Sequence, residues 1–184
     1  MRRSKQKLLR GVTKTKSSQN QQTKEIMPKH TITYESHNSP KDLNKPDQEL
    51  LTAAEKALKN SYAPYSGFNV AAAARLKNGT IVTGWNTENA AYPMCLCAEP
   101  ATLAAAASLH PGVPVVAMAI TVRSANQTVD QPASPCGSCR QQLLEHETRF
   151  ATPVRLILRG EVGPVYVFAS AADLLPFGFA GTLL

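Results

Sequence analysis

The sequence predicts an α/β fold, a three-layer α/β/α sandwich around a mixed sheet of roughly five strands. Segments with strand-type patterning alternate with segments of helical spacing between residues 46 and 184, as is typical of layered α/β domains. An Asn78-Gly79 pair separates two apolar runs and predicts an antiparallel hairpin. The run from Val115 to Val122 is apolar on both faces, so we expect a buried central strand there.

Each remaining element follows from a local pattern. Leucines and alanines repeat at helical spacing after Pro46, and an alanine-rich stretch from Ala98 ends at a Pro-Gly pair. In chain order we expect a helix from Pro46 to Lys59, strands at 68–76 and up to Trp85, a helix at 98–109, a strand at 115–122, a helix at 137–147, strands at 154–158 and 165–168, and a short helix at 171–175.

The net charge of +7 lies almost wholly in the first quarter of the chain. Residues 1–46 hold 11 of the 20 lysines and arginines and only three acidic residues, a balance of +8, so the remaining 138 residues carry −1. Nucleic-acid-binding domains present a basic surface to the phosphate backbone. We therefore expect no nucleic-acid partner for the folded part.

We interpret residues 1–45 as a basic N-terminal extension that precedes a single domain at 46–184. Residues 1–26 are polar and nearly free of large apolar side chains, which predicts disorder. Thr31 to Glu35 alternates as an edge strand would, so we expect a short strand at 30–35. Two further interpretations stay open, a true start at Met27 and a mitochondrial presequence.

The chain has no apolar run near the ~18 residues that a membrane-spanning helix needs, so we expect no membrane segment. No secretory signal precedes its four cysteines, which favours the cytoplasm. In a reducing compartment, closely spaced cysteines favour metal binding or catalysis over disulfides.

The cysteines form two close pairs, at 95 and 97 and at 136 and 139. Three hypotheses fit them: a redox pair, a structural zinc site closed by four sulfurs, and a catalytic zinc site with one open position. Cys97 and Cys136 each lie where a helix is expected to begin, and helix N-termini favour thiolates. Glu99 favours the catalytic site over the structural one, because a catalytic site needs a proton-transferring group and a structural site does not. We favour catalytic zinc.

Five motifs follow one another from about Leu50 onwards. They are Ala63-Pro64-Tyr65-Ser66-x-Phe68-x-Val70, Gly84-x-Asn86-x-Glu88-Asn89, Cys97-Ala98-Glu99, Pro135-Cys136-Gly137-x-Cys139-Arg140-Gln141 and Leu174-Leu175-Pro176-x-x-Phe179. In this order they resemble the cytidine deaminase family, of the small homotetrameric type with three cysteine ligands. The resemblance implies hydrolytic deamination of cytidine and/or deoxycytidine, a role in pyrimidine salvage, and a free nucleoside as the substrate.

The resemblance also implies separate roles for the residues at the metal. Cys97, Cys136 and Cys139 hold Zn²⁺, which supplies an activated water near neutral pH. Glu99 is the catalytic residue, which passes a proton from that water to the pyrimidine ring and helps to expel ammonia.

Four further residues match substrate-binding positions of the family. Phe68 packs on the base, Asn86 and Glu88 bind the ribose, and Phe179 belongs to the site of a neighbouring subunit. The last role implies a homo-oligomer, a tetramer by resemblance. Each residue also has an ordinary interpretation, because the two phenylalanines fit a core, Asn86 fits a turn, and Glu88 fits a solvated surface.

Position 100 departs from the family, since proline replaces an arginine that offsets the charge of the thiolates. Three thiolates on Zn²⁺ leave a net −1, which raises the pKa of a bound water and predicts a lower efficiency. Pro100 also biases Glu99 away from helical angles. Helix N-termini or Arg140 are candidates for compensation, and the additional Cys95 is expected to be a small buried residue.

Three other functions stay open. The chain could deaminate another cytosine-bearing nucleoside, or act on a polynucleotide guided by the basic extension, although a nearly neutral domain opposes this. It could also be a zinc-stabilised binding module whose activity is reduced or lost because of Pro100.

Overall fold

The structure is a computed structural model that describes residues 28–181. The disorder predicted for residues 1–26 and the proposed start at Met27 fall outside the described residues. Within residues 28–181, each helix is too short or too polar to span a bilayer.

A six-stranded mixed sheet forms the centre of the described part of the chain. Its strands are β1 (Glu35–His37), β2 (Phe68–Leu76), β3 (Ile81–Trp85), β4 (Val115–Ser124), β5 (Arg155–Arg159) and β6 (Val165–Phe168). The spatial order is β1-β6-β5-β4-β2-β3. Only β4 and β5 pair in parallel, and the other four pairs are antiparallel.

Three α-helices of residues 28–181 cover the two faces of this sheet: α1 (Lys45–Ala57), α2 (Ala98–Leu109) and α3 (Gly137–Phe150). Helix α1 packs on one face, against β2 and β4. Helices α2 and α3 lie on the other face, together with a short 3-10 helix at Ala171–Leu174. The predicted three-layer α/β/α sandwich is confirmed.

Strand alternation divides the core into two clusters, because successive side chains of a strand point to opposite faces. Ala72 and Ala74 of β2 point towards α2 and α3, whereas Ala73 between them points towards α1. Met118 of β4 follows the first pattern and Ala119 the second. The run predicted as a central strand is β4, which pairs with both β2 and β5 and is buried on both faces.

The hairpin and the helix positions also agree with the sequence analysis. Strands β2 and β3 pair across the Asn78-Gly79 turn, and Gly79 takes the positive φ of 87° that this turn requires. Helix α2 has the predicted bounds. Helix α3 continues past the predicted end at residue 147, to Phe150, and Ala151 ends it in the left-handed conformation. The predicted final helix is a 3-10 helix.

The short N-terminal strand lies at Glu35–His37 and not at 30–35, and it is the sixth strand of the sheet. It pairs with β6, so the alternating Thr31–Tyr34 pattern precedes the strand. Arg155 of β5 fixes this edge, since its guanidinium donates to Glu35 at 3.1 Å and to Asp47 of α1 at 3.0 Å. These contacts place Glu35–His37 against the folded part, although the sequence analysis assigned them to the extension.

The close approach of α2 to β3 depends on Gly84. A Cβ atom at this position would lie 2.5 Å from the hydroxyl oxygen and 2.6 Å from the backbone nitrogen of Thr102, a fully buried residue of α2. Real side chains do not make contacts this short, so any larger residue would push α2 off the sheet. The glycine therefore sets the position of the helix that begins at Ala98.

We expect Gly84→Ala to lower the free energy of unfolding by about 1–3 kcal/mol, the usual cost of overpacking a core. Gly137→Ala is the matched control, because a Cβ there meets open space at the start of α3, and its stability should be equal or higher. Urea denaturation of both variants measures the difference. A Gly84→Ala variant as stable as the parent protein would contradict this account of the α2–β3 contact.

Candidate active site

A cleft of about 350 Å³ opens at the edge of the sheet where β3 and β4 end. Both strands run in the same direction, so their carboxyl ends lie together, and α2 and α3 each begin at this edge. Crevices at the carboxyl ends of strands are the usual ligand sites of α/β sheets. The cleft brings together Phe68, Asn86, Glu88, Cys97, Glu99, Cys136 and Cys139, which are seven of the eight predicted site residues.

Three sulfurs meet at the inner end of the cleft. The Sγ atoms of Cys97, Cys136 and Cys139 all lie within 4.8 Å of one another, and those of Cys136 and Cys139 are 3.3 Å apart. Thiolates bound to tetrahedral zinc at ~2.3 Å would lie about 3.8 Å from each other. The spacing and the soft sulfur donors therefore fit a zinc ion with one position left open.

Two helix N-termini point at this cluster. Cys97 is the N-cap residue of α2 and Cys136 is the N-cap residue of α3. The unpaired N–H groups and the positive end of each helix dipole favour negative charge on sulfur. A hydrogen bond from the Cys139 thiol lowers the pKa of Cys97 to about 6, and the same bond raises the pKa of Cys139. One sulfur of the cluster is thus readily ionised.

Cys95 is not part of the cluster. Its sulfur instead accepts a hydrogen bond from the backbone nitrogen of Asn89 at 3.2 Å. The residue is exposed, so the expectation of a small buried residue is wrong. Within residues 28–181, the side chains close enough together to share a metal ion are those of three cysteines, Cys97, Cys136 and Cys139. This geometry opposes the hypothesis of a structural site closed by four sulfurs.

Glu99 lies beside the sulfurs in the first turn of α2. Only 4% of its surface is exposed, and it shares the cleft wall with Cys97 and Cys139. Burial raises the pKa of its carboxyl group above the ordinary value, and a hydrogen bond from Cys139 opposes this in smaller measure. A carboxyl group with a raised pKa holds a proton more readily than an ordinary one, which suits a general acid/base.

Pro100 is accommodated without distorting Glu99. It is the third residue of α2, where a backbone N–H has no partner within the helix, and Glu99 keeps its place in the helix. The expected displacement of Glu99 from helical geometry is therefore wrong. The proline ring faces a groove between α2 and α3 rather than the cleft.

No lysine, arginine or histidine lines the cleft in the described part of the chain. Arg140, the suggested source of compensating charge, donates to the carbonyl of Pro135 at 2.7 Å and to that of Leu174 at 3.0 Å. Its guanidinium is thus committed to backbone oxygens. Arg140 keeps its positive charge in this position, and the two helix N-termini add partial positive charge at the sulfurs.

Asn86 follows β3 and is tied to the start of β2. Its side-chain oxygen accepts from the backbone nitrogen of Val70 at 2.8 Å and from the Ser61 hydroxyl, and its nitrogen donates to the carbonyl of Phe68 at 2.9 Å. These bonds fix the strand end that carries Phe68. An amide nitrogen has two hydrogens, so one N–H of Asn86 is still available to a ligand.

Glu88 lies at the mouth of the cleft, held by the loop before β2. One carboxylate oxygen accepts from the backbone nitrogens of Tyr65 at 2.9 Å and Ser66 at 3.2 Å, and the other accepts from the Ser66 hydroxyl. The Ser66 hydroxyl bond is the main reason that the pKa of Glu88 lies below its ordinary value. Ser66 lies in the first of the five motifs, but no role was predicted for it.

The rest of the cleft wall is mostly apolar and includes residues that were not predicted as site residues. Val70, Ile120 and Val122 come from β2 and β4, and Ala133 and Ser134 come from the loop before α3. The apolar pattern of β2 and β4 predicted that these segments are strands, but it did not indicate which strand ends form the cleft. Phe179 is the exception among the predicted residues, since it is 57% exposed and lies outside the cleft lining.

Residues 44–151 match a protein family described as the cytidine and deoxycytidylate deaminase zinc-binding region. The chain is 37% identical over 135 residues to a cytidine deaminase of Sporosarcina psychrophila, which covers 72% of this chain and 90% of the relative. It is 41% identical over 117 residues to a cytidine deaminase of Mycobacterium tuberculosis, which covers 60% of this chain and 81% of the relative.

Solved structures agree with the sequence relatives. A crystal structure of cytidine deaminase from Burkholderia pseudomallei matches with a TM-score of 0.62 at 36% identity, over 71% of this chain and 97% of that chain. The structure from M. tuberculosis matches with a TM-score of 0.57 at 32% identity, over 76% and 99%. With the family match over more than half of its length and three thiols spaced for zinc, the chain belongs to the zinc-dependent cytidine and deoxycytidylate deaminase family.

Proposed function

We propose that this protein catalyses the hydrolytic deamination of cytidine and/or deoxycytidine, which converts the 4-amino group to a carbonyl and releases ammonia. The observation that carries the proposal is the meeting of three sulfurs and one buried carboxyl group, Glu99, in a single cleft. A metal that polarises water and a group that moves protons are the two components this reaction requires.

Cys97, Cys136 and Cys139 are the proposed zinc ligands. Their spacing supports this role, as does their position at two helix N-termini. Zinc bound there supplies Lewis acidity and a water that is easily deprotonated. The loop from Asn89 keeps Cys95 away from the cluster, which leaves the fourth position to a non-protein ligand.

Glu99 is the proposed catalytic residue. Its raised pKa supports a role in which the carboxyl group holds a proton and delivers it to the ring nitrogen N3 of the pyrimidine. The carboxylate left behind takes the proton that the attacking water releases and passes it to the departing amine. The proton that the C4 hydroxyl loses as the carbonyl forms then returns to Glu99. Burial of the side chain keeps bulk water from competing for this proton, because only 4% of Glu99 is exposed.

The nucleoside is proposed to lie between Phe68 and the sulfur cluster. Phe68 and the apolar wall suit the base, which has a flat, weakly polar face. The free N–H of Asn86 and an unoccupied lone pair of the Glu88 carboxylate suit hydroxyl groups of the sugar. Asn86 has a second task, since its other bonds fix the backbone of Phe68 and Val70.

A free nucleoside suits the cleft better than a nucleotide or a polynucleotide. A phosphate group needs cationic or N–H donors, and no lysine, arginine or histidine of residues 28–181 lines the cleft. Glu88 at the mouth has a lowered pKa and is therefore ionised at neutral pH, which repels a phosphate. This supports cytidine and deoxycytidine over deoxycytidylate, although the family description names both kinds of deaminase.

We also propose that the protein acts as a homo-oligomer, by resemblance a tetramer, in the cytoplasm. Phe179 is absent from the lining of its own cleft and projects from the surface. A hollow of about 230 Å³ beside the cleft mouth, lined by Tyr65, Tyr92 and Glu88 among others, gives an aromatic side chain of another copy a place to dock. A reducing compartment keeps the three sulfurs available to metal.

We expect the purified protein to hold one zinc ion per chain, and the two exposed cysteines before α2 to differ in their effect. Cys97→Ser should lose most of the zinc during gel filtration with a weak chelator, because one of three protein ligands is gone. Cys95→Ser is the matched control and should keep the metal. Elemental analysis measures both. Zinc loss in Cys95→Ser would contradict the proposed ligand set.

We expect the long-wavelength ultraviolet absorbance of cytidine and deoxycytidine to fall on incubation with the protein, as cytosine becomes uracil. Deoxycytidylate should react at least about 100-fold more slowly, because the cleft offers its phosphate no partner. Glu99→Gln should lower kcat by about 10³-fold while zinc is retained. Glu145→Gln, an exposed acid of α3 outside the cleft, is the matched control and should keep full activity. An active Glu99→Gln variant, or a parent protein that turns over neither cytidine nor deoxycytidine, would overturn the proposal.

A further inference from the structure

The backbone of Phe179 is held although its side chain is exposed. The side-chain amide of Gln141 donates to the carbonyl of Phe179 at 2.7 Å and accepts from its backbone nitrogen at 3.1 Å. This pair of bonds resembles the pairing of two strands and fixes both backbone groups of one residue. An exposed phenylalanine with both backbone groups occupied cannot fold back freely onto the surface.

The conformation just before Phe179 requires such an anchor. Phe177 has a φ of 60°, in the left-handed region that bulky side chains rarely adopt, and its side chain is 100% exposed. A strained residue of this kind persists only where the chain on both sides is fixed. Arg140 binds the carbonyl of Leu174 on one side, and Gln141 binds Phe179 on the other.

Helix α3 is the common support of these contacts. Arg140 and Gln141 directly follow Cys139, so the anchors of the C-terminal segment lie one turn from the sulfur cluster. Further along the helix, Glu147 accepts from the backbone nitrogens of Ala171 at 2.8 Å and Ala172 at 3.2 Å. One rigid element therefore carries two zinc-ligand candidates and sets the direction in which Phe179 projects.

We propose that Gln141 is a positioning residue that holds Phe179 in the conformation needed at the substrate site of another copy of this chain. The inference rests on the proposed function and oligomer. Fixing the backbone of one residue in advance removes an ordering cost that corresponds to about a tenfold change in an equilibrium constant. Gln141 itself touches neither substrate nor metal in this scheme, and acts only through Phe179.

The test compares Gln141→Ala with Gln142→Ala, because Gln142 is the adjacent, exposed residue of the same type on the same helix. Gln141→Ala should raise the KM for cytidine about tenfold with kcat changed less than about twofold, and Gln142→Ala should change neither. Phe179→Ala should raise KM at least as much as Gln141→Ala. A purely structural loss would instead lower the fraction of active protein and thus kcat.

Hydrogen exchange gives a second readout that does not depend on turnover. The amide hydrogen of Phe179 should exchange about tenfold faster in Gln141→Ala than in Gln142→Ala, since its acceptor has been removed. Equal exchange in the two variants, or an unchanged KM in Gln141→Ala beside a raised KM in Phe179→Ala, would overturn the inference. An unaffected Phe179→Ala variant would overturn it as well.

Failure of the proposed function would look different. In that case the parent protein itself would not turn over cytidine, and the dissociation constant for cytidine would replace KM as the measured quantity. A similar dissociation constant in Gln141→Ala and Gln142→Ala would then overturn the positioning role, and a tenfold difference would support it.

Discussion

The structure depends on the meeting of two helix N-termini at one edge of the sheet. Cys97 caps α2 and Cys136 caps α3, so two helices that are distant in sequence direct sulfurs and unpaired N–H groups at one point. Glu99 lies in the first turn of α2 and is buried beside this point. Gly84 allows α2 to approach the sheet closely enough for the sulfurs to meet. The proposed zinc ligands and the proposed proton-transferring group are thus placed by the same two elements.

The absence of an arginine at position 100 changes how the charge of the sulfurs is balanced. Two helix N-termini supply partial positive charge, the guanidinium of Arg140 is held by backbone carbonyls near Cys139, and no lysine, arginine or histidine of residues 28–181 lines the cleft. Partial charges at helix ends are weaker than a full guanidinium charge. The charge at the sulfurs is therefore balanced differently from that in a site with an arginine at position 100.

Much of this could be predicted from the sequence, because the decisive signals are local. The Asn78-Gly79 turn predicted the β2–β3 hairpin, and the metal motifs predicted the three cysteines whose sulfurs the fold brings together. The position of the N-terminal strand could not be predicted, since it depends on pairing with β6 and on the contact between Arg155 and Glu35. Contacts between residues far apart in the chain produce no periodic pattern that could be recognised in the sequence.

The same limit applies to the residues proposed to bind the substrate. Asn86 and Glu88 were identified by motif, but their hydrogen bonds to Phe68 and Ser66 depend on how the loop before β2 folds over the end of β3. The anchoring of Phe179 by Gln141 joins residues 38 positions apart, and only the folded chain brings them together. Local motifs therefore indicate which residue types serve the chemistry, and the tertiary structure decides how each one is held.

X-ray absorption at the zinc edge of the purified protein tests whether three sulfurs bind the metal and leave one position open. We expect three sulfur ligands at about 2.3 Å and one lighter oxygen or nitrogen ligand at about 2.0 Å. A first shell of four sulfurs would contradict it, since a closed site has no position for the water that deamination consumes.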